Sequence, residues 1–511
     1  MTVKPSGQRT GPARLPPCSL DWKGGRRYIP VEEDDCSGNS GFGLTYLRPS
    51  LQYSPPVRDG GRDRDAFQRD EPMAKLTRRG FVGSLSAIAA ATSLSARQAG
   101  SASLLEKRTG HVSIKITDLK CAIIGQNPVI RVVTDQDISG YGEAESVKNY
   151  LKPMVLFYKQ YLLGEDPTDV QRVMLKIRRM GAFKPWGAAV SAIEIALWDI
   201  AGQVAGVPVY KLLGGKTRDR VRAYDGAVRF PMHGQTPADY AENTQKIKES
   251  KEGFTLIKQA VGFHNPAMIK AVPDGWYDSP GRSGPGHADR GMLTERGLEQ
   301  IIACAEAMKK VLGDEVGLAL DCGPGWTLKD AITFARAMEP YHLAWLEDML
   351  TGDYSTYPNA QLFKELTQAT STRIHTGEEI YLRENFKDLI ENQAVNVIGP
   401  DPEDVGGMAE LKWIAEYADL HGILVAPHGI FDGLIGLAAH VQLAATLPQN
   451  YIAFEYPIGQ PEWWNDIVEG LPDPIMKRGF IDVWDAPGLG VRFNVQKAKA
   501  RLRDEDRDFF D

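Results

Sequence analysis

Cysteine is scarce in this chain. Cys18, Cys36, Cys121, Cys304 and Cys322 are scattered, odd in number and without a CxxC pair, so neither a disulfide framework nor a thiolate metal cage is implied. Cys322 reads as a small packing residue behind a strand. Positive charge is also in short supply, with 59 Lys and Arg against 66 Asp and Glu and a formal net charge of −7. No basic field is available to hold phosphate backbones, and nucleic acid is not an expected partner. The nine histidines are not paired at zinc spacing. What is present, 43% apolar and 24% charged residues over 511 positions, is an ordinary globular composition with length for two or three domains.

Residues 1–72 are rich in Gly, Pro, Arg and Asp and show no period of 2 or 3.6. Such a segment buries too little apolar surface to offset the entropy of ordering, and we expect disorder there. Residues 73–105 resemble a twin-arginine export signal, with Arg78-Arg79-Gly80-Phe81 leading into a mildly apolar run over 83–91 and small residues over 93–103 for cleavage. That run is too short and too rich in Ala and Ser to anchor the protein permanently in a bilayer. Because signals of this type are N-terminal, Met73 is the expected native start and residues 1–72 an over-extended reading frame. Export to a periplasmic compartment is the expectation; a fortuitous arginine pair would leave the protein cytoplasmic.

From Val221 onward short apolar runs alternate with longer amphipathic segments, the pattern of βαβ units around a parallel sheet. Six of the runs end in a polar residue: Asp321, Glu347, Glu378, Asp401, His428 and Glu455, in steps of 23 to 31 residues. A barrel of about 250 residues divided into eight units predicts steps of about 31. Two earlier runs, 221–224 and 254–258, complete eight strands. All strand ends of such a barrel open onto one face, so these residues converge on one pocket. Three acids on successive strands repel one another unless a cation lies between them. Oxygen donors without Cys or paired His favour a hard ion, Mg²⁺ before Mn²⁺ or Ca²⁺. Helix capping is the competing role for any one of the acids.

The order of several segments carries a resemblance. They are Ile130-Arg131-Val132-Val133-Thr134, Gly140-Tyr141-Gly142-Glu143-Ala144, the stretch 189–202 with Glu194, Trp198 and Asp199, Pro208 to Gly215, Trp345-Leu346-Glu347-Asp348, Thr376-Gly377-Glu378, Asp401 followed by Val405-Gly406-Gly407, and Ala426-Pro427-His428-Gly429. From about Val112 to Val495 the chain resembles the mandelate racemase and muconate lactonizing branch of the enolase superfamily. That resemblance implies an α/β fold, a modified TIM (β/α) barrel over 221–456 with an N-terminal α+β capping domain over 112–220, completed by a C-terminal segment, 457–511. It implies Asp321, Glu347 and Glu378 as ligands of a Mg²⁺-like ion, and Asp401 with His428 as a dyad. Lys258 would stabilise a substrate carboxylate or its developing charge, and Glu455 would bind substrate. A homo-oligomer and a small carboxylate substrate are also what the resemblance implies. An imidazole held by a carboxylate at its other nitrogen has a fixed tautomer and raised basicity, suited to take or return a proton alpha to a carboxylate.

Two departures shape the functional expectation. Many relatives carry Lys-x-Lys on the second strand, whereas this chain has Lys258-Gln259-Ala260, so two-base racemisation loses its usual second base. Stretches 339–348 and 485–491 look like the mannonate and galactonate dehydratases, yet Gly323 stands where that group places a catalytic His two residues after the first metal ligand. Excess length between Lys258 and Asp321, over 264–292, forms a polar Gly- and Pro-rich insertion at the face where substrate-shaping loops belong. Tyr277, His287 and Arg290 there are candidate substrate-binding residues, with His264 beside them; strand alternation leaves the direction of His375 open. The leading expectation is dehydration of a sugar acid to a 2-keto-3-deoxy acid. A cycloisomerase, epimerase or racemase of a related acid is the alternative, and a non-catalytic sugar-acid binding or sensing protein a second one.

Overall fold

The computed structural model describes residues 113–511 with breaks at 147, 184–185, 227–229, 231, 233, 235, 262–276, 279–291, 324–325, 351–357, 430–432 and 458–462. The N-terminal extension, the export-like segment, His264, His287 and Arg290 lie outside the described residues.

The capping domain begins with a meander of three antiparallel strands, β1 (Ile116–Ile124), β2 (Asn127–Thr134) and β3 (Ser139–Glu143). A 20-residue helix, Trp186–Ala205, lies across β3. The approach is close because β3 presents Gly140 and Gly142: a Cβ on Gly142 would sit 1.9 Å from the Ala192 carbonyl oxygen. By length and composition this helix is apolar enough to cross a membrane, but 78% of its apolar window is buried inside the fold. A core helix that is apolar all round is what such burial demands.

Eight parallel strands make the barrel: β4 (Arg220–Asp225), β5 (Leu256–Ala260), β8 (Gly317–Asp321), β9 (Leu346–Glu347), β10 (Ile374–Thr376), β11 (Val397–Ile398), β12 (Leu424–Val425) and β13 (Phe454–Tyr456). Between β5 and β8 lie two short antiparallel strands of the insertion, β6 (Tyr277–Asp278) and β7 (Met292–Leu293). The sheet runs β12-β11-β10-β9-β8-β5-β4-β13. Closure comes from the Val425 to Tyr451 bridge and from Ile452 N donating to Val425 O at 2.9 Å and Glu455 N to Pro427 O at 2.8 Å. Each apolar run that the sequence marked as a barrel strand is one. Inside the ring Tyr224, Leu256, Ala319, Trp345, Val397, Ala426 and Ala453 form a packed floor, with the Trp345 and Tyr224 rings edge to face at 5.4 Å. The ring is thus plugged below and open only toward the strand ends.

The C-terminal segment divides. β14 (Val468–Glu469) pairs with β16 (Arg492–Phe493), while β15 (Phe480–Asp482) runs antiparallel along β4 of the barrel. Its last turn packs on the capping sheet, where Asp506 Oδ2 accepts from Ile123 N at 3.0 Å.

Most barrel helices carry their own caps: Thr236, Thr294, Thr327 and Asn359 accept backbone N–H groups at four N-termini. Three do not. Helix Arg383–Glu391 follows Leu382, which cannot cap it. The other two, Met408–Leu420 and Leu434–Ala444, begin after Gly407 and Gly433, which have no side chain to offer. Their first N–H groups donate instead to the capping domain. Met408 N and Ala409 N reach Glu194 at 2.8 and 3.1 Å, and Ile435 N and Gly436 N reach Glu143 at 3.1 and 3.0 Å. A Cβ on Gly407 would stand 2.3 Å from Glu194 Oε2, and one on Gly433 2.0 Å from Glu143 Oε1. Glycine there makes room for the incoming carboxylates, which answer both the orphan donors and the positive end of each helix dipole.

Candidate active site

Strand alternation turns Lys258 of β5, Asp321 of β8, Glu347 of β9 and Glu455 of β13 into the ring, and the turns after β10, β11 and β12 add Glu378, Asp401 and His428. All seven are buried. β8 and β9 are in register at Asp321 and Glu347, which sets these two acids side by side.

Lys258 stands at the centre. Its Nζ lies 2.5 Å from Glu347 Oε1, 3.1 Å from Glu455 Oε1 and 3.5 Å from Asp321 Oδ2. Burial opposes the ammonium charge, but Glu347, Glu455 and then Tyr224 and Asp321 together hold its pKa well above the ordinary lysine value. Burial likewise raises the Glu347 carboxyl, and Lys258 with His375 outweighs it, leaving Glu347 below the usual carboxylate range. Trp345 Nε1 donates to Glu347 Oε2 at 2.7 Å, so the acid is oriented from below as well. Lys258 thus stands as a buried ammonium among three carboxylates.

His428 faces two ways. Its Nδ1 lies 2.7 Å from Asp401 Oδ2, and its Nε2 lies 3.4 Å from Glu378 Oε2 and 3.6 Å from Glu455 Oε2. Burial disfavours the imidazolium, but Glu378, Glu455 and Asp401 raise its pKa well above the usual histidine value. With Nδ1–H committed to Asp401, Nε2 is the ring atom left facing the pocket, able to gain or lose a proton.

Beside the expected trio stands a further acid, Asp348. Glu347, Asp348 and Glu378 bring one oxygen each to within 4.8 Å of one another, while Asp321 joins through Lys258 and is cradled by Gly323 N, which donates to its Oδ1 at 3.1 Å. Asp348 was missed because simple alternation points the residue after Glu347 out of the ring. A left-handed backbone at φ 52 re-aims it, and Thr376 Oγ1 donates to its Oδ1 at 2.8 Å. His375 does turn inward, but one layer down: its ring stacks on Trp345 at 5.2 Å and Nε2 meets the Ala426 carbonyl oxygen at 3.2 Å. Burial lowers its pKa against the pull of Glu347, whose Oε2 lies 3.4 Å from His375 Nδ1. Cys322 is buried, its thiol pushed up by burial, and packs as expected. Tyr277 supplies backbone to β6; its side chain lies outside the described residues.

The loop after β3 also reaches the pocket, a contact that no spacing rule could find. Glu145 Oε1 lies 3.6 Å from His428 Nδ1, and Lys148 joins Glu145 to Glu379 and Asp404.

Comparison with known proteins adds ancestry to this geometry. Residues 119–214 match the mandelate racemase / muconate lactonizing enzyme N-terminal domain, and residues 241–498 the enolase C-terminal domain-like model. D-xylonate dehydratase of Haloferax volcanii is 32% identical over 409 residues, covering 77% of this chain and 90% of that protein. D-galactonate dehydratase of Ralstonia pickettii is 28% identical over 372 residues, 71% of this chain and 87% of its own. A solved mandelate racemase/muconate lactonizing enzyme-like protein from Rubrobacter xylanophilus superposes with a TM-score of 0.66 at 31% identity, over 76% of this chain and 98% of that one.

Proposed function

Since the chain belongs to the mandelate racemase / muconate lactonizing enzyme family of the enolase superfamily, we propose that it is a metal-dependent dehydratase of a sugar acid. In the reaction the C2 proton and the C3 hydroxyl leave as water, giving a 2-keto-3-deoxy acid. The observation that carries the reading is one buried pocket in which the Glu347, Asp348 and Glu378 carboxylates lie beside a dyad imidazole, with His428 Nε2 only 3.4 Å from Glu378 Oε2.

The residues fit a hard divalent cation. Among the described residues Asp321, Glu347, Glu378 and Glu455 converge on one ammonium, Lys258, and one imidazole, His428. This excess of buried negative charge calls for a further cation, and oxygen donors select Mg²⁺, with Mn²⁺ the nearest substitute. Glu347 and Glu378, with Asp321 or Asp348, would hold it. When bound, such an ion supplies Lewis-acid neutralisation of the charge that gathers on the substrate carboxylate as C2 loses its proton.

The protein's own groups then divide the work. Lys258 contributes a permanent charge at the pocket floor, stabilising the carboxylate end of the substrate. His428 moves the proton at Nε2, held in one tautomer by Asp401; as an imidazolium it returns a proton to the departing hydroxyl, and as a neutral ring it takes one from C2. Glu455, set between Lys258 and His428, binds the substrate there. The D-xylonate and D-galactonate dehydratases among the relatives support an aldonic acid as substrate.

A stereochemical library of aldonic, uronic and aldaric acids, incubated with the protein and Mg²⁺ and scored for 2-keto-3-deoxy acid, tests the reading. A product abolished by EDTA and by Glu347→Gln is expected; silence across the library from folded, Mg²⁺-binding protein would sink it. Export through residues 73–105 and assembly as a homo-oligomer belong to the same proposal. N-terminal sequencing of the native protein and its mass in solution read them out.

A further inference from the structure

The loop leaving β3 carries a second cluster of charges, apart from the one around Lys258. Lys148 is buried, and its Nζ lies 2.6 Å from Glu145 Oε2, 2.9 and 2.8 Å from Asp404 Oδ1 and Oδ2, and 3.3 Å from Glu379 Oε1. These partners come from three places. Glu145 belongs to the capping domain. Glu379 directly follows Glu378 on the turn after β10. Asp404 lies on the turn after β11, whose shape is fixed by Asp404 N and Val405 N donating to the Asp401 carbonyl oxygen at 3.1 and 2.8 Å. One ammonium from the cap thus grips both the segment that presents Glu378 and the segment that presents Asp401.

Glu145 extends the grip to the imidazole. Its Oε2 is held by Lys148, while Oε1 stands 3.6 Å from His428 Nδ1, on the side of the ring where Asp401 Oδ2 lies at 2.7 Å. Beside the cluster opens a cavity of about 420 Å³, lined by Lys148, Glu379 and Asp404 of the cluster together with Tyr150, Tyr381, Gly187 and Ala188. Buried charge is a costly way to close a lid. Its advantage is geometric: charge-assisted bonds from one side chain fix the separation of two loops whose residues must meet across a substrate.

The geometry points to Lys148 and Glu145 as positioning residues of the reaction centre. Lys148 sets the spacing between the Glu378 turn and the Asp401–His428 dyad, and Glu145 adds a second carboxylate to the Nδ1 side of the imidazole. The dyad is therefore complete only while the cap is seated. This rests on the role proposed above for His428, and the test separates the two.

Full-length protein in Mg²⁺ is treated with diethyl pyrocarbonate, and the adduct on the His428 peptide is followed by mass spectrometry beside turnover of the acid found in the library. Lys148→Met is expected to raise the His428 modification rate about tenfold or more and to lower kcat about tenfold or more, with KM changed less than about threefold. Lys148→Arg recovers most of both, and Glu145→Gln keeps His428 protected while lowering kcat alone. Wild-type protection and wild-type kcat in Lys148→Met would overturn the proposal. So would losses carried by KM alone in Lys148→Met and Glu145→Gln. Should Lys148→Met fail to fold, wild-type kcat in Glu145→Gln is the overturning result. If the wild type turns over no acid, loss of His428 protection in Lys148→Met supports the docking geometry, and the dehydratase reading is what fails.

Discussion

Among the described residues two lysines are buried, each among three carboxylates, and they sit in opposite kinds of structure. Lys258 meets Asp321, Glu347 and Glu455, all from strands of one hydrogen-bonded ring. Lys148 meets Glu145, Glu379 and Asp404, from a capping loop and two barrel turns. The first cluster is held by backbone that cannot move without opening the sheet. The second holds backbone that would otherwise be independent. Rigid elements set the floor of the site, and charge sets its roof.

The comparison can be broken most decisively at the floor. Glu347→Gln keeps the shape but removes a charge that both Lys258 and the proposed cation use; a loss in turnover of about 10³-fold is expected, read by single-substrate kinetics in saturating Mg²⁺. Next in size is Lys258→Met, which leaves buried acids without their ammonium and is expected to cost about 3–5 kcal/mol in denaturant unfolding. Added Mg²⁺ should recover part of that loss by binding only the folded form, so the variant's stability becomes more dependent on Mg²⁺ than the wild type's. A variant indifferent to Mg²⁺ would argue against a cation site beside Lys258.

The roof responds to pH instead. Burial pushes Glu143 and Glu194 each to about 7, against the lowering effect of the N–H groups they cap. A carboxyl raised in this way binds its proton more tightly folded than unfolded between an ordinary 4.5 and about 7. The folded state is then favoured at the acid side of that window, and stability falls as pH rises from about 4.5 through about 7, by on the order of 3 kcal/mol for each glutamate. Glu194→Gln should flatten part of this slope; an unchanged slope between pH 5 and 8 would rule Glu194 out as its source. The smallest effect belongs to Cys322→Ala. Although beside Asp321, its thiol packs rather than reacts, so a stability loss of about 1 kcal/mol and kcat within about twofold of wild type are expected.

What was legible in the sequence follows the same division. A ring of strands imposes a period, so Asp321, Glu347, Glu378, Asp401, His428 and Glu455 announced themselves by spacing, and the strand runs followed. Asp348 did not, because a single left-handed residue reverses the direction that alternation assigns to it. Lys148 and Glu145 did not either. Their barrel partners lie more than 200 residues away, and no local pattern encodes a contact made only when two domains meet. Glu194 stood inside a stretch that carried the family resemblance, yet its job of capping a helix start at Gly407 needed the fold to be seen.

Those glycine-led helices have a consequence for how the chain can be cut or recombined. A barrel severed from its cap would carry two helices with frayed starts, one after β11 and one after β12, on the side of the ring that presents Asp401 and His428. The cap, for its part, would carry Glu143 and Glu194 stripped of the helix starts they cap, with Glu194 keeping the Trp198 indole N–H at 2.7 Å. Neither half is a finished folding unit, so the pair should unfold in one transition, and grafting a foreign cap onto this barrel would have to reproduce two glutamates before any question of substrate arose.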